Sequence, residues 1–166
     1  DPVMVAKGGA ALMEDTATQA MIEHMLPLAT LVTPNIPEAE TILARKIETE
    51  EDMIQAAKDI QALGASNILM KGGHSLNEEE ARDFLWTEDG EGYWFASQRF
   101  HTKNTHGTGC TYSACITAEI AKGKSLKEAI ATAKEYITSA IYHGIEVGHG
   151  HGPTNHAAYR KFWAVK

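Results

Sequence analysis

The sequence predicts an α/β fold, because short apolar runs that end in glycine or proline alternate with longer segments of helical periodicity. The chain has 166 residues, of which 43% are apolar, which is enough for the core of about one domain. A chain order of strand, helix, strand, helix, strand and hairpin is typical of a mostly parallel sheet with an antiparallel addition. We therefore expect residues 1–166 to form a single domain.

The elements of the first half follow from apolar patterns and from the residues that end them. Short apolar runs predict buried strands at residues 2–7, 30–33 and 67–71. Apolar residues at helical spacing predict helices over residues 16–25, 37–44 and 50–63. Pro37 suits the first turn of the second helix, and Gly64 is placed to cap the end of the third.

The second half begins with a predicted hairpin and continues with helices. Aromatic runs flank an acidic, glycine-containing segment at residues 88–92, which predicts two strands with a tight connection within residues 81–100. Ser125 and Glu128 have the spacing of a capping box and therefore indicate a helix start. Helices are predicted over residues 107–122, 125–145 and 155–163.

Charge and hydropathy exclude several classes of function. The chain carries 15 Lys and Arg against 22 Asp and Glu, a net charge of −7, so no basic face predicts binding to nucleic acid or to a membrane. No apolar run approaches the ~18 residues of a spanning helix, and no signal-peptide pattern is present. Cys110 and Cys115 point to different sides of one predicted helix, which favours reduced thiols. We therefore expect a cytoplasmic protein that binds neither nucleic acid nor a membrane.

The segment Asn-Thr-His-Gly-Thr-Gly-Cys-Thr at residues 104–111 is a candidate anion site. Gly107 and Gly109 let backbone N–H groups turn toward one point, and the following helix adds partial positive charge there. The segment lacks the Gly-Lys-Ser/Thr of a Walker A loop, and an ordinary glycine-rich helix start explains it equally well. Cys110 stands where the helix dipole favours a thiolate, although a small buried apolar role is the simpler interpretation.

Three residues of the first half are candidate ligands for a metal or a phosphate. Asn35 and Glu38 lie three residues apart where a strand meets a helix, and they could supply oxygen ligands to hydrated Mg²⁺. The simpler interpretation is a capping box formed by the same two side chains. Lys71 ends a predicted strand just before two glycines, so its ammonium could reach a phosphate at the strand ends. The eight histidines invite a metal interpretation, above all His143, His149, His151 and His156 near the C-terminus. They lack zinc-site spacing, which favours loop histidines that line a small-molecule site or are simply solvated over structural zinc.

Five motifs together resemble one family. They occur at residues 1–4 (Asp-Pro-Val-Met), 33–38 (Thr-Pro-Asn-Ile-Pro-Glu), 70–74 (Met-Lys-Gly-Gly-His), 104–110 and 148–153 (Gly-His-Gly-His-Gly-Pro). In this order they are similar to the hydroxymethylpyrimidine/phosphomethylpyrimidine kinases of thiamine biosynthesis, which are members of the ribokinase superfamily. The resemblance implies a three-layer α/β/α fold, ATP and Mg²⁺ as cofactors, and a homodimer. It also implies that roughly a hundred residues precede Asp1 in the complete kinase domain, so that the chain alone is expected to be inactive.

The resemblance implies roles for the residues of the candidate anion site. The anion hole for the transferred phosphoryl group would be formed by Gly107, Thr108, Gly109 and Cys110. Thr108 and Gly109 would also contact the nucleotide. Cys110 stands where most of the superfamily has an aspartate base beside the acceptor hydroxyl. Positioning and charge neutralisation carry most of phosphoryl transfer, so a strong base at this place is not essential.

The resemblance also assigns the metal, the nucleotide and the acceptor. Hydrated Mg²⁺ would contact Asn35, Glu38 and Asp1. The ATP phosphates would face Lys71, Gly72 and Gly73. The acceptor pocket would be bordered by Val3, His106 and Cys110.

Two other functions stay open. A pyridoxal kinase of the same family suits the pair His106 and Cys110, since a thiol adds reversibly to an aldehyde while a histidine moves the proton. A non-catalytic module could use the same turn to bind a nucleotide or another anion without turnover. The pyrimidine kinase is favoured over such a module because a pure binder does not require Asn35, Glu38, Lys71 and Cys110 together.

Overall fold

The computed structural model describes residues 1–4, 12–72 and 79–163. The chain divides into two compact units, Asp1–Ala96 and Ser97–Lys166, which we call the N-terminal unit and the C-terminal unit. The expectation of one kinase domain over the whole chain stays a prediction.

The N-terminal unit contains the three predicted helices, each close to its expected bounds. Helix α1 spans Asp15–Ala20 and continues through a π-type turn at Met21–Met25 and a 3₁₀ turn at Leu26–Leu28. Helix α2 spans Ile36–Leu43 and helix α3 spans Glu50–Ala62. Thr49 and Asp52 form a capping box at the start of α3, and Gly64 lies just beyond its end with a positive φ, as the sequence predicts.

One antiparallel sheet covers the second part of this unit. Its strands are β1 at Ile68–Lys71, β2 at Glu80–Trp86 and β3 at Gly92–Gln98, in the order β1-β2-β3. Strands β1 and β2 pair in a register that places Lys71 opposite Asp83. The predicted hairpin is confirmed as β2 and β3. The predicted strand at 67–71 is confirmed as β1.

The expected mostly parallel sheet is wrong for the described residues. The segment 30–33 is not a strand, and it meets β1 only through isolated parallel bridges, Val32 to Ile68 and Asn35 to Lys71. Pro34 lies between these two bridges and has no N–H to donate, which explains why the parallel ladder is interrupted. Residues 1–4 carry no strand, and the remainder of the predicted strand at 2–7 lies outside the described residues.

The core of the N-terminal unit forms where helix α3 covers the sheet. Met53 and Ile60 of α3 are buried in the same apolar cluster as Ile68 and Met70 of β1. Leu69 is fully buried as well, so both faces of β1 are covered. The burial of each such side chain contributes about 1.5–3 kcal/mol to the stability of the fold. This core also fixes the position of Lys71, the last residue of β1.

The C-terminal unit is built on two packed helices. Helix α4 spans Thr108–Ala121 and helix α5 spans Leu126–Tyr142, which begins with the predicted capping box of Ser125 and Glu128. Their apolar faces are fully or nearly fully buried at Ile116, Ile130, Ala133 and Ile137. The last predicted helix forms only a π-type turn at Tyr159–Trp163. No helix in the described ranges is long and apolar enough to cross a membrane.

Candidate functional site

Lys71 and Asp1 form an ion pair at the carboxyl end of β1. The Lys71 Nζ atom lies 2.6 Å from Asp1 Oδ1, and the two side chains are only 11% and 12% exposed. The Thr33 hydroxyl donates to the same Asp1 oxygen at 3.2 Å. The structure therefore brings together one predicted metal contact and the predicted phosphate contact, within a largely buried polar group that the sequence did not reveal.

Asn35 and Glu38 form the capping box that begins helix α2. The Asn35 Oδ1 atom accepts from the Glu38 backbone N–H at 2.9 Å, and Glu38 Oε2 accepts from the Asn35 backbone N–H at 2.8 Å. This confirms the simpler of the two interpretations. The parallel bridge between Asn35 and Lys71 places the cap beside the ion pair. Metal binding by the pair stays a prediction.

The Glu38 carboxylate nevertheless fits a hydrated Mg²⁺. The residue is 4% exposed, and the capping bond uses its Oε2 atom. A carboxylate has two oxygens with about four lone-pair sites, so the capping bond leaves acceptor capacity for a hydrated cation. Mg²⁺ keeps most of its water and usually takes one or two protein carboxylates, which Glu38 and Asp1 could supply while Asn35 orients Glu38.

The close packing of strand β2 explains why position 72 is a glycine. Its N–H donates to the Arg82 carbonyl oxygen at 3.1 Å and to Asp83 Oδ1 at 3.2 Å. A Cβ at this position would lie 2.3 Å from the same Arg82 oxygen, so only glycine allows β2 to approach this closely. The part of Gly72 in nucleotide binding stays a prediction. Gly73 lies outside the described residues.

Val3 lies beside the ion pair in sequence and is half-buried. Its N–H donates to the Asp1 carbonyl oxygen at 2.9 Å, which folds the backbone of residues 1–3 into a tight turn. Its predicted contact with an acceptor stays a prediction.

In the C-terminal unit, helix α4 begins directly after a turn at Gly107. Gly107 precedes the helix with φ of +80°, a left-handed conformation that favours glycine. The Thr108 hydroxyl donates to the Thr105 carbonyl at 2.8 Å, and the Thr111 N–H donates to the Gly107 carbonyl at 3.0 Å. The N–H groups of Gly109 and Cys110 meet no acceptor in the described part of the chain, as first-turn amides of a helix do. They are available to an anion.

The residues before this turn are held by the histidine-rich segment at 148–153. The His106 N–H donates to the Gly152 carbonyl at 3.0 Å, and the His106 carbonyl accepts from the Thr154 N–H at 3.2 Å. Asn104 is 6% exposed and fits against the bare backbone of Gly144 and Gly152. The His106 side chain itself is exposed, so it is accessible to a small molecule.

The two cysteines differ in their surroundings. Both thiols are free, and Cys110 is exposed whereas Cys115 is half-buried. Burial raises the pKa of the Cys115 thiol above its ordinary value, and the nearby Glu119 carboxylate adds to the effect. Cys115 is therefore a packing residue, while Cys110 is the thiol that a ligand at the start of α4 would meet.

The sequence did not reveal the contacts of three polar residues, one beside the Lys71–Asp1 ion pair and two at the start of helix α4. Thr33 lies within a quoted motif, but its bond to Asp1 joins residues 32 positions apart. The Thr111 Oγ1 and His156 Nε2 atoms lie 3.0 Å apart, although the residues are 45 positions apart. Thr33 and Thr111 lie within sequence motifs, which is a signal that could have drawn attention to them. No local pattern indicates that His156 contacts Thr111.

Two solved structures that share this fold are pyridoxal kinases. The chain matches the ADP complex of pyridoxal kinase from Bacillus subtilis with a TM-score of 0.84 and 43% identity, over 90% of this chain and 58% of that one. It matches pyridoxal kinase from Staphylococcus aureus in complex with AMP-PCP with a TM-score of 0.89 and 37% identity, over 98% of this chain and 58% of that one. The class is thus that of the ribokinase-like kinases, matched over part of their chains.

The chain belongs to the phosphomethylpyrimidine kinase family, whose sequence profile matches residues 1–155. It is 51% identical over 163 residues to the hydroxymethylpyrimidine/phosphomethylpyrimidine kinase of Haemophilus influenzae. That match covers 97% of this chain and 61% of the relative, so the chain spans about three fifths of the relative's length. The resemblance drawn from the five motifs is confirmed.

Proposed function

We propose that this chain is the C-terminal portion of a kinase that phosphorylates 4-amino-5-hydroxymethyl-2-methylpyrimidine and then its monophosphate, with ATP as donor, in thiamine biosynthesis. The 51% identity to a kinase of that name supports the substrate class. The observation that carries the proposal is the start of helix α4, where two unpaired amides stand beside an exposed thiol. The complete protein would have the three-layer α/β/α fold and act as a cytoplasmic homodimer.

The turn at Gly107–Cys110 would stabilise the transferred phosphoryl group. Charge in this reaction develops on the equatorial oxygens of the phosphoryl group, and fixed backbone donors stabilise it without reorganisation. The dipole of the 14-residue helix α4 adds to the positive potential at the same point. Thr108 and Gly109 would contact the nucleotide phosphates from this turn.

Residues of the N-terminal unit would neutralise the remaining charge. Glu38 and Asp1 would hold a hydrated Mg²⁺, with Asn35 orienting Glu38 through the capping box. When bound, the metal neutralises charge on the ATP phosphate oxygens. Lys71 would face the same phosphates, with Gly72 and Gly73 beside it, and its bond to Asp1 limits the directions in which its ammonium can point.

Cys110 would face the acceptor hydroxyl, beside Val3 and His106. The first acceptor is a neutral alcohol, whereas the second already carries a phosphate. A carboxylate at this place would repel the second acceptor, while a neutral thiol would accept both. This difference in charge is our reason for a cysteine where most of the superfamily has an aspartate.

Pyridoxal is the second candidate acceptor. The two solved structures reported above are both pyridoxal kinases, at 43% and 37% identity. An exposed thiol at Cys110 could add reversibly to the aldehyde carbon of pyridoxal, with the exposed His106 moving the proton. The identity to the pyrimidine kinase is higher, which places pyridoxal second.

The test is a kinase assay of the full-length protein with Mg·ATP and each acceptor in turn. We expect phosphorylation of the pyrimidine alcohol and of its monophosphate, with a higher kcat/KM than for pyridoxal, and no transfer by residues 1–166 alone. A higher kcat/KM for pyridoxal would assign the second function. Tight ATP binding without phosphoryl transfer to either acceptor would contradict the proposed kinase activity and indicate a non-catalytic nucleotide-binding module.

A further inference from the structure

We propose that His156 is a positioning residue for the phosphoryl-binding turn at Gly107–Cys110, and that it acts through its hydrogen bond to Thr111. The inference rests on the proposed function, because it concerns the same turn. Thr111 follows Cys110 directly, and its backbone N–H closes the turn onto the Gly107 carbonyl at 3.0 Å. Whatever fixes Thr111 therefore also fixes the two free amides before it.

Three threonines inside helices of this chain make a local side-chain bond. Thr41, Thr117 and Thr138 each donate to the carbonyl oxygen four residues earlier, at 2.9, 3.0 and 2.7 Å. A threonine hydroxyl inside a helix can make this bond because that carbonyl lies within its reach. Thr111 instead directs its Oγ1 to the ring of His156, at 3.0 Å from Nε2. The Thr111 side chain thus contacts a residue 45 positions away in the sequence and not a carbonyl of its own helix.

His156 is a firm anchor because its own backbone is held on helix α5. Its carbonyl accepts from the Tyr136 hydroxyl at 2.8 Å. The neighbouring Asn155 N–H donates to the Ala140 carbonyl at 2.9 Å, and the Asn155 side chain donates to the His143 carbonyl at 3.0 Å. The ring of His156 therefore connects the first turn of α4 to a segment that is hydrogen-bonded to α5 and to its C-terminal end.

The turn is consequently fixed on both sides. Before it, the backbone of His106 pairs with Gly152 and Thr154. After it, Thr111 is tied to His156. An anion hole stabilises charge only if its donors are already in place, so losing the second tie should lower the rate of the chemical step more than the affinity for either substrate.

The experiment compares variants of the full-length protein by kinetics and by hydrogen exchange of the peptide that contains residues 107–111. His156 is exposed, so its replacement removes no core contact. We expect His156→Ala and Thr111→Val each to lower kcat about three- to tenfold, the worth of one hydrogen bond, with the KM values nearly unchanged. His156→Gln keeps an amide nitrogen within reach of Thr111 and should restore most of the loss. The matched control is His24→Gln, at an exposed histidine of the N-terminal unit.

The double variant of His156→Ala with Thr111→Val separates this proposal from a general loss of stability. If the two residues act through one bond, the double variant is no slower than either single one, and exchange in residues 107–111 is faster in all three. The proposal would be overturned if the loss of kcat in the double variant were the product of the two single losses, or if kcat did not change in the single variants. Equal losses of kcat in His156→Gln and His156→Ala would also overturn it. If the unmodified protein transfers no phosphate, the proposed function fails. The exchange rates then still decide whether His156 holds the turn.

Discussion

The candidate groups of the two units differ in kind. In the N-terminal unit, the candidate groups are side chains, as in the ion pair of Lys71 with Asp1 and in the Asn35 and Glu38 side chains that cap helix α2. In the C-terminal unit, the candidate groups are backbone amides at the start of α4, and the only ionisable side chain within that turn is a thiol. The difference indicates that one unit depends on which side chains are present and the other on backbone conformation. Substitutions can test each half of this statement.

The largest effect is expected from Lys71→Met, which removes a cation but keeps the length of the side chain. The variant would leave Asp1 without its ammonium partner and would remove the counter-charge that we propose Lys71 supplies to the ATP phosphates. We expect kcat of the full-length kinase to fall roughly 100- to 1,000-fold, as for loss of a major electrostatic group. Lys46→Met is the matched control, since that lysine is paired with Glu40 on the surface. Equal losses in both variants would show that Lys71 has no special role.

Cys110→Asp introduces a charged side chain at the start of helix α4, where the other candidate groups are backbone amides. Two like charges ~6 Å apart repel by about 3 kcal/mol at an effective dielectric constant of ~20. We expect the rate with the monophosphate to fall about 100-fold more than the rate with the alcohol. The measurement is kcat/KM for each acceptor in the full-length protein. Equal losses for the two acceptors would remove the charge explanation for this cysteine.

Glu38→Gln separates the two roles of the N-terminal cap. Glutamine at this position still accepts from the Asn35 N–H, so helix α2 and the melting temperature should be preserved. The loss of charge should raise the Mg²⁺ concentration needed for half-maximal activity by roughly 10- to 100-fold. Titration of kinase activity with Mg²⁺, beside thermal melting, checks both parts. A lower melting temperature with an unchanged Mg²⁺ requirement would leave only the capping role.

Gly107→Ala tests the dependence of the C-terminal unit on backbone conformation. Alanine at φ of +80° costs about 1–2 kcal/mol, and relief of that strain would turn the free amides away. Gly123→Ala is a matched control, because Gly123 has φ of +92° at the other end of α4 with open space around it. We expect similar losses in the free energy of unfolding but about tenfold lower kcat in Gly107→Ala alone. Equal activity in the two variants would contradict the role of the turn.

The smallest effect concerns the two thiols of α4. The raised pKa of Cys115 keeps its thiolate fraction low at neutral pH, and this fraction rises with increasing pH. Iodoacetamide should therefore label Cys110 several-fold faster than Cys115 at pH 7, with the gap narrowing at higher pH. Mass spectrometry of tryptic peptides measures both rates. Faster labelling of Cys115 would contradict the assignment of Cys110 as the accessible thiol.

Local signals in the sequence predicted most helices and the hairpin. Capping pairs such as Ser125 and Glu128 mark helix starts because the bonds they make join residues three positions apart. The interrupted ladder beside β1 was not predicted, since the missing donor of Pro34 matters only once Val32 and Asn35 lie against that strand. The bonds of Asp1 to Lys71 and of Thr111 to His156 also require the folded chain. Motifs named the candidate residues, and the tertiary structure supplied the partners that orient them.

The cap on helix α2 has a consequence for experiments in living cells. Asn35 and Glu38 start a helix and are also the proposed metal contacts, so removing either side chain disturbs folding whatever its effect on metal binding. A marginally stable protein that loses a cap is degraded faster, and its cellular abundance can drop several-fold. A growth screen for thiamine would therefore score Glu38→Ala as severe whether or not it binds metal. Only substitutions that keep the cap, together with measured protein levels, can distinguish a lost ligand from a lost protein.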